Sequence, residues 1–222
     1  MFHIFAMKLL QTNNFDHVSV PKSESLQLID IFDVHGKKTI ELSPHSSLTY
    51  LIVGSNIDID IQLISTWSHC TCTIFGLFVS DAKRPVKWSL KVLLNHSDTS
   101  ANVELISFLR EGANVAIDGS IDIAPHLDQV HGRLLEHNIV LGKKIFLKTL
   151  PKLNVSSHNV RAAHGANIDT LDPQKLFYMM SRGLTQQQSQ TLLVNWYIDH
   201  VLTHFEDISE TEKQHIFAVL KD

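Results

Sequence analysis

The stretch Ile57-Asp58-Ile59-Asp60-Ile61-Gln62-Leu63 alternates strictly between apolar and polar side chains. A period of two places Ile57, Ile59, Ile61 and Leu63 on one face and the polar residues on the other, the signature of a half-buried strand. The pattern recurs at Leu26 and Leu28 and over 47–53, and further strands follow over 70–79, 86–94, 102–109, 115–123, 136–141, 144–148 and 153–155. Turn chemistry separates these runs: Asp33-Val34-His35-Gly36, Ser80-Asp81-Ala82-Lys83, Asn95-His96-Ser97-Asp98, Glu111-Gly112-Ala113-Asn114 and Leu141-Gly142-Lys143. Many short strands with no helix between them predict an all-β core. The pattern leaves a sandwich, a barrel and a parallel β-helix open, and only a loose internal period is visible.

The pattern changes near Asp172. Asp172 suits an N-cap and Pro173 the first helical turn. Leu176, Phe177 and Met180 recur at helical spacing, and Gly183 suits a left-handed C-cap after Arg182. Thr185–Gln188 and Ser209–Glu212 each match a capping box. The first opens a helix expected to reach about Phe205 along a stripe of Leu193, Tyr197, Val201 and Phe205; Ile216, Phe217 and Leu220 follow the second. His164-Gly165-Ala166 reads as a tight turn between the two regimes. The division is an N-terminal lead-in (1–25), a β core (26–165) and a C-terminal helical region (166–222).

The 222 residues suffice for one domain with a real core. A net charge of -4 gives no electrostatic reason to expect nucleic acid or an anionic membrane surface. No apolar run is long enough to span a bilayer. The opening MFHIFAMKLLQ lacks a basic n-region and a small-residue cleavage site, and reads as ordinary chain. Two cysteines, Cys70 and Cys72, make no disulfide framework, so a reducing, cytoplasmic setting is expected.

The segment HGANIDTLDPQKLFYMMSRGL resembles the C-terminal signature of the SufB/SufD family of iron–sulfur cluster assembly proteins, and the SufD side more closely. The resemblance rests on His164, Gly165, Ala166 and Asn167, then Leu176, Phe177, Tyr178, Arg182, Gly183 and Leu184 at the family's spacing. It extends upstream, weakening, to about residue 40. The run from Gly132 to Lys143 resembles the segment before the family's last coils, and His69-Cys70-Thr71 and Val79-Ser80-Asp81 resemble further positions. Thr149 and Pro151 match a family turn whose acidic and basic members are replaced by Lys148 and Leu150. The chain looks like a minimal core, short at its N-terminal end.

What the resemblance implies is a right-handed parallel β-helix with a small C-terminal helical cap. It implies a scaffold subunit in iron–sulfur cluster assembly of the SUF type, itself no enzyme. Its partners would be a SufC-like ABC ATPase, docked at the helical region through Phe177, Tyr178, Arg182, Gly183 and Leu184, and a SufB-like subunit or a second copy paired through the last coils. No cofactor would be held stably, although a transient iron–sulfur cluster could be shared with the partner. His164 carries over as a metal-ligand candidate; the family cysteine two residues before it is Ala162 here. Two alternatives stay open: a degenerate paralogue acting as an interaction module without cluster binding, and a carbohydrate-active β-helix enzyme.

Each candidate also has a purely structural reading. His164 also reads as the cap of a turn before a helix, and Phe177 and Leu184 as residues that only seal the cap. Cys70 and Cys72, two apart in a strand, share a face and sit beside His69; they form either a metal clip or two small buried hydrophobes. His200 and His204 share a helix face behind Trp196, but Val201-Leu202-Thr203 supplies no glutamate for a zinc-protease motif. The 14 histidines form no dense tract. No nucleophile elbow or phosphate loop occurs, and Asp58 and Asp60 lie on a polar strand face.

Overall fold

The computed structural model describes residues 8–11, 15–31, 34–206 and 208–221. Its odd-numbered strands are β1 Lys8–Gln11, β3 Ser25–Ile31, β5 Ser47–Gly54, β7 Thr71–Ser80, β9 Ser100–Leu109, β11 Asp128–Val140 and β13 Asn159–Thr170. The even-numbered strands are β2 His17–Val20, β4 His35–Leu42, β6 Ile57–Ser65, β8 Val86–Leu94, β10 Asn114–Ile123 and β12 Phe146–Val155. Three helices follow: α1 Pro173–Ser181, α2 Gln186–Leu202 and α3 Glu210–Lys221.

Odd strands form one parallel sheet in chain order, even strands a second. The chain therefore passes between two sheets, one coil at a time, and stacks each coil on the last. This is a parallel β-helix flattened to two sheets, with a helical cap. Short connections force the arrangement, because a parallel neighbour in the same sheet is reached only by way of the other sheet.

Residues stack in columns. Leu26, Leu48, Cys72, Ala101, Gly132 and Ala162 lie one on the next, separated by 22, 24, 29, 31 and 30 positions. The uneven coil length hides the repeat from the sequence. Inward side chains from both sheets make one continuous core, including Leu28, Tyr50, Ile74, Val103 and Leu134 facing Ile59, Ile61, Trp88, Leu90 and Ile117. The second sheet alternates inward and outward as expected; its outer face carries Lys87–Asp58, Lys91–Asp122 and Lys152–Asp118 pairs between neighbouring coils. The first sheet is covered on both sides in its C-terminal half. Ile29, Leu51, Phe75, Ile106 and Phe108 point outward and are buried by Leu193, Ile198, Val201, Phe205, Ile216 and Leu220 of the cap. That double burial explains the unbroken apolar run of β7.

Several expectations need correction. The coils begin within the presumed lead-in, since β1 pairs with β3 and β2 with β4. They end at Thr170, so a boundary at 165 cuts β13. His164-Gly165-Ala166 is no turn: it lies mid-strand, paired with Leu134, Leu135 and Glu136. Thr149 and Pro151 likewise lie within β12 rather than in a turn. Proline's missing N–H is tolerated there because β12 is an edge strand. The turn expected at Asp33 falls partly outside the described residues, as does most of MFHIFAMKLLQ.

The cap follows its sequence signals closely. Asp172 accepts from the N–H groups of Gln174 (2.9 Å) and Lys175 (3.3 Å). Both capping boxes form: Thr185 with Gln188, and Ser209 with Glu212. Gly183 takes φ +95° and ends α1, with Leu184 N–H returning to the Met179 carbonyl at 3.3 Å. In α1 the packed face is Leu176 and Met179, not Phe177 and Met180.

Candidate functional site: the open end of the β-helix

The last coil, β12 and β13, is the end of both sheets among the described residues. Each strand has one unpaired edge over ten and twelve residues. Apolar side chains stand exposed on it: Phe146 (63% exposed), Leu150, Val155 and Ile168 (59%). A long edge with exposed apolar groups is a template for pairing with another strand.

His164 lies on this end. Its column runs Leu28, Tyr50, Ile74, Val103, Leu134, His164, all but the last buried. With no coil above it, the imidazole is exposed, and no side-chain partner is found for it among the described residues. A histidine here is not capping a turn. It takes a core position in the one coil where that position faces outward from the solenoid's end.

No thiol joins it. Cys72 shares the column of Ala162, but three coils away, roughly 14 Å at 4.7–4.9 Å per strand. Both cysteines face the core and are buried. Burial pushes both thiols up, Cys72 furthest, and the Cys70 Sγ donates to the Ser43 and Trp67 carbonyls at 3.0 and 3.1 Å. His69 points away and stacks on His45, ring centroids 4.8 Å apart and planes 8° from parallel. With both thiols buried in the core and the His69 ring exposed, the three do not converge on one ion, so the clip reading fails and the two cysteines are small core hydrophobes. Neither thiol is expected to react with iodoacetamide in the folded protein over a period in which the urea-unfolded chain is fully alkylated; a labelled native Cys72 would contradict this.

Beneath the open coil lies a polar group that the sequence reading missed. Glu136 (1% exposed) and Asn138 (1%) point into the core, with Ser107 paired beside Asn138. The Thr149 hydroxyl donates to Glu136 Oε2, and Asn138 Nδ2 donates to the Asn167 carbonyl at 3.2 Å. Glu136 Oε1, Asn138 Oδ1 and Ser107 Oγ have no protein partner. Burial, helped by the Asp118 carboxylate, raises the Glu136 carboxyl to about 8. The signal was present: Glu136 and Asn138 share the strand parity of buried Leu134. A second buried network ties the early coils. Lys38 Nζ lies 2.9 Å from Asp30 Oδ2, and the Tyr50 hydroxyl donates to the same oxygen at 2.5 Å.

Phe177 (75% exposed), Tyr178, Met180, Leu192 and Trp196 form exposed apolar surface on α1 and α2. Arg182 lies over the Tyr178 ring at 5.2 Å. Phe177 does not seal the cap, while Leu184 is half-buried. His200 and His204 have ring centroids 5.5 Å apart, and no group of metal-ligating residues occurs among the described residues.

A parallel β-helix with a C-terminal helical cap is what the resemblance implied, and the structure has that architecture. The family described as "SUF system FeS cluster assembly, SufBD core domain" matches residues 31–196, and the chain belongs to it. Within that family the likeness is to SufD. The iron–sulfur cluster assembly protein SufD of Escherichia coli is 26% identical over 112 residues, half of this chain and 26% of that protein. An iron–sulfur cluster assembly SufBD family protein of Synechocystis is 28% identical over 111 residues, half of this chain and 24% of that protein. SufB of Bacillus subtilis is 21% identical over 102 residues, 46% of this chain and 22% of that protein. Each match thus spans about a quarter of the relative's length. Among the described residues no helix is long and apolar enough to cross a membrane.

Proposed function

We propose that this chain is a cytoplasmic scaffold subunit of a SUF-type assembly complex, with no catalytic reaction of its own. The observation that carries the reading is the unpaired, apolar edge of β12 and β13 at the open end of the β-helix. A SufB-like subunit, or a second copy, adds its own terminal strands there and continues both sheets. The nascent cluster is cargo of that junction. This chain brings one imidazole, His164, and thiolates must come from the partner, because Ala162 stands beside His164 and Cys72 is three coils off. A SufC-like ABC ATPase docks on the apolar surface of α1 and α2, and its nucleotide-driven movement is transmitted to the junction through the cap.

A second reading is favoured by the same lack of thiols: a subunit that keeps both contacts and handles no iron. Anaerobic purification of the complex with wild-type chain and with His164→Ala separates them. The scaffold reading expects iron and sulfide to fall at least severalfold in the variant, whereas equal content in both supports the second.

The docking contact has its own test. Truncating the chain before α1 would strip the cover from Leu51, Phe75 and Ile106, so point variants are needed. Phe177→Ala with Tyr178→Ala removes exposed side chains and should leave Tm within about 2 °C. It is expected to weaken co-purification of the ATPase at least tenfold, about 1.4 kcal/mol or more. Unchanged capture of the ATPase would remove α1 from the interface.

A further inference from the structure

On the outer face of the first sheet, away from the cap, the last coils carry arginines that no acid among the described residues neutralises. A groove of about 560 Å³ is lined by outward side chains of Ser100 and Asn102 on β9, His131 and Arg133 on β11, and Arg161 on β13. A second cavity of about 420 Å³ shares His131 and Arg161 with it and continues the groove toward Gln129 and Asn159. No carboxylate lines either cavity among the described residues. The nearest outward acid on β9, Glu104, faces His137 at 3.9 Å. In a chain of net charge -4, two unneutralised guanidiniums and an imidazole on adjoining strands are a local exception.

The register sets their spacing. Arg161 pairs with His131, and Ala163 with Arg133, so the arginines are diagonal neighbours, roughly 8 Å apart at Cα. Two side chains of that length converge on one tetrahedral anion between them. Arg133 is held toward β9, where its Nη1 donates to Asn102 Oδ1 at 3.3 Å, and the Asn102 amide nitrogen is a further donor in the lining. His131 and Arg161 have no side-chain partner among the described residues. The floor is the backbone of Ala101, Gly132 and Ala162, whose side-chain positions face the core, with Ala163 the small outward residue between the arginines.

We propose that this groove binds a phosphate group, with Arg133 and Arg161 as its two forks and His131, Asn102 and Ser100 completing the donor set. A phosphate dianion matches two guanidiniums in charge and accepts both forks at once, whereas a carboxylate balances only one. The site uses outward side chains of β9, β11 and β13, whereas a partner strand would pair with the free backbone edge of β13, and it lies clear of α1. Loss of partner binding would therefore leave it standing, and its own failure would leave the scaffold reading standing.

Titration calorimetry on the full chain at low ionic strength, with inorganic phosphate, AMP and adenosine as three probes, tests the assignment. Phosphate and AMP are expected to bind and adenosine not. AMP binding tighter than phosphate identifies a phosphate ester as the natural ligand; equal binding identifies free oxyanion. Arg133→Gln with Arg161→Gln, both exposed and so expected to keep the wild-type Tm, should raise Kd at least tenfold. Arg161→Lys, which keeps charge and loses the fork, should fall between. Lys87→Gln with Lys91→Gln, on the other sheet, should leave Kd unchanged. The proposal is overturned if neither anion binds below about 10 mM, if adenosine binds as well as AMP, or if the arginine and lysine pairs weaken binding equally.

Discussion

Raising the pH from about 5 to about 8 is expected to destabilise the wild-type protein by on the order of 4 kcal/mol, and Glu136→Gln to abolish most of that slope. The Glu136 carboxyl stands at about 8 in the folded chain, against about 4.3 for an exposed glutamate. Between those values the folded state holds a proton that the unfolded state has released. Its contribution is fully present below the unfolded pKa and is lost as pH rises through the folded one, at up to about 1.4 kcal/mol per unit. Glutamine has the shape of the protonated acid and carries no charge at any pH. The difference in urea-unfolding free energy between the two proteins isolates the effect from the histidines, which titrate alike in both. If the two curves run parallel from pH 5 to 8, Glu136 is ionised in place and its surroundings have been misread.

Gly142→Ala is expected to be the most damaging single methyl group in the chain. Gly142 follows β11 where the chain crosses over Arg110 and Glu111 of the previous coil, and its N–H donates to the Leu109 carbonyl at 3.1 Å. A Cβ there would lie 2.2 Å from the Glu111 nitrogen, 2.5 Å from the Arg110 carbonyl carbon and 2.6 Å from Glu111 Cα. These are backbone atoms held by both sheets, so no side chain can swing aside. The cost should reach or exceed the upper end of ordinary overpacking, about 3 kcal/mol, and lower Tm by about 10 °C. Gly165→Ala is the contrast. Although Gly165 sits in the signature, a Cβ there meets only Leu135 Cδ2 at 3.6 Å, an ordinary contact. Its Tm should stay within about 2 °C of wild type. The fold therefore does not require glycine beside His164, and any loss of cluster assembly in Gly165→Ala is to be sought at the junction with a partner.

Strands with one wet face were legible in the sequence: β6, β8 and β10 alternate because the second sheet has solvent behind it. The cap was legible too, since capping boxes, proline and glycine are local signals. What stayed hidden depends on the stacking. Coil lengths from 22 to 31 residues blur the repeat. His164-Gly165-Ala166 looked like a turn because an end coil need not bury its column, so His164 stands where Leu134 and Val103 lie in the coils below. Glu136 was not singled out because its type is polar, and only its parity with Leu134 betrays that it is inside. Arg133 and Arg161 are 28 positions apart, and their meeting depends on a register that no local pattern announces.

The cap also sets the order in which this protein can be finished during synthesis. Ile29, Leu51 and Phe75 leave the ribosome early, yet the residues that cover them, from Leu193 to Leu220, are translated only after all the described strands. The growing chain can wind its coils as they emerge, but one sheet carries a naked apolar strip until the helices arrive. Gln27 reaching the His204 carbonyl, and Arg110 reaching the carbonyls of Leu220 and Lys221, close the circuit only then. A solenoid built from nearest-neighbour contacts should fold piecemeal; this one is bound to wait for its cap, and until then the exposed strip is a natural holding site for a chaperone.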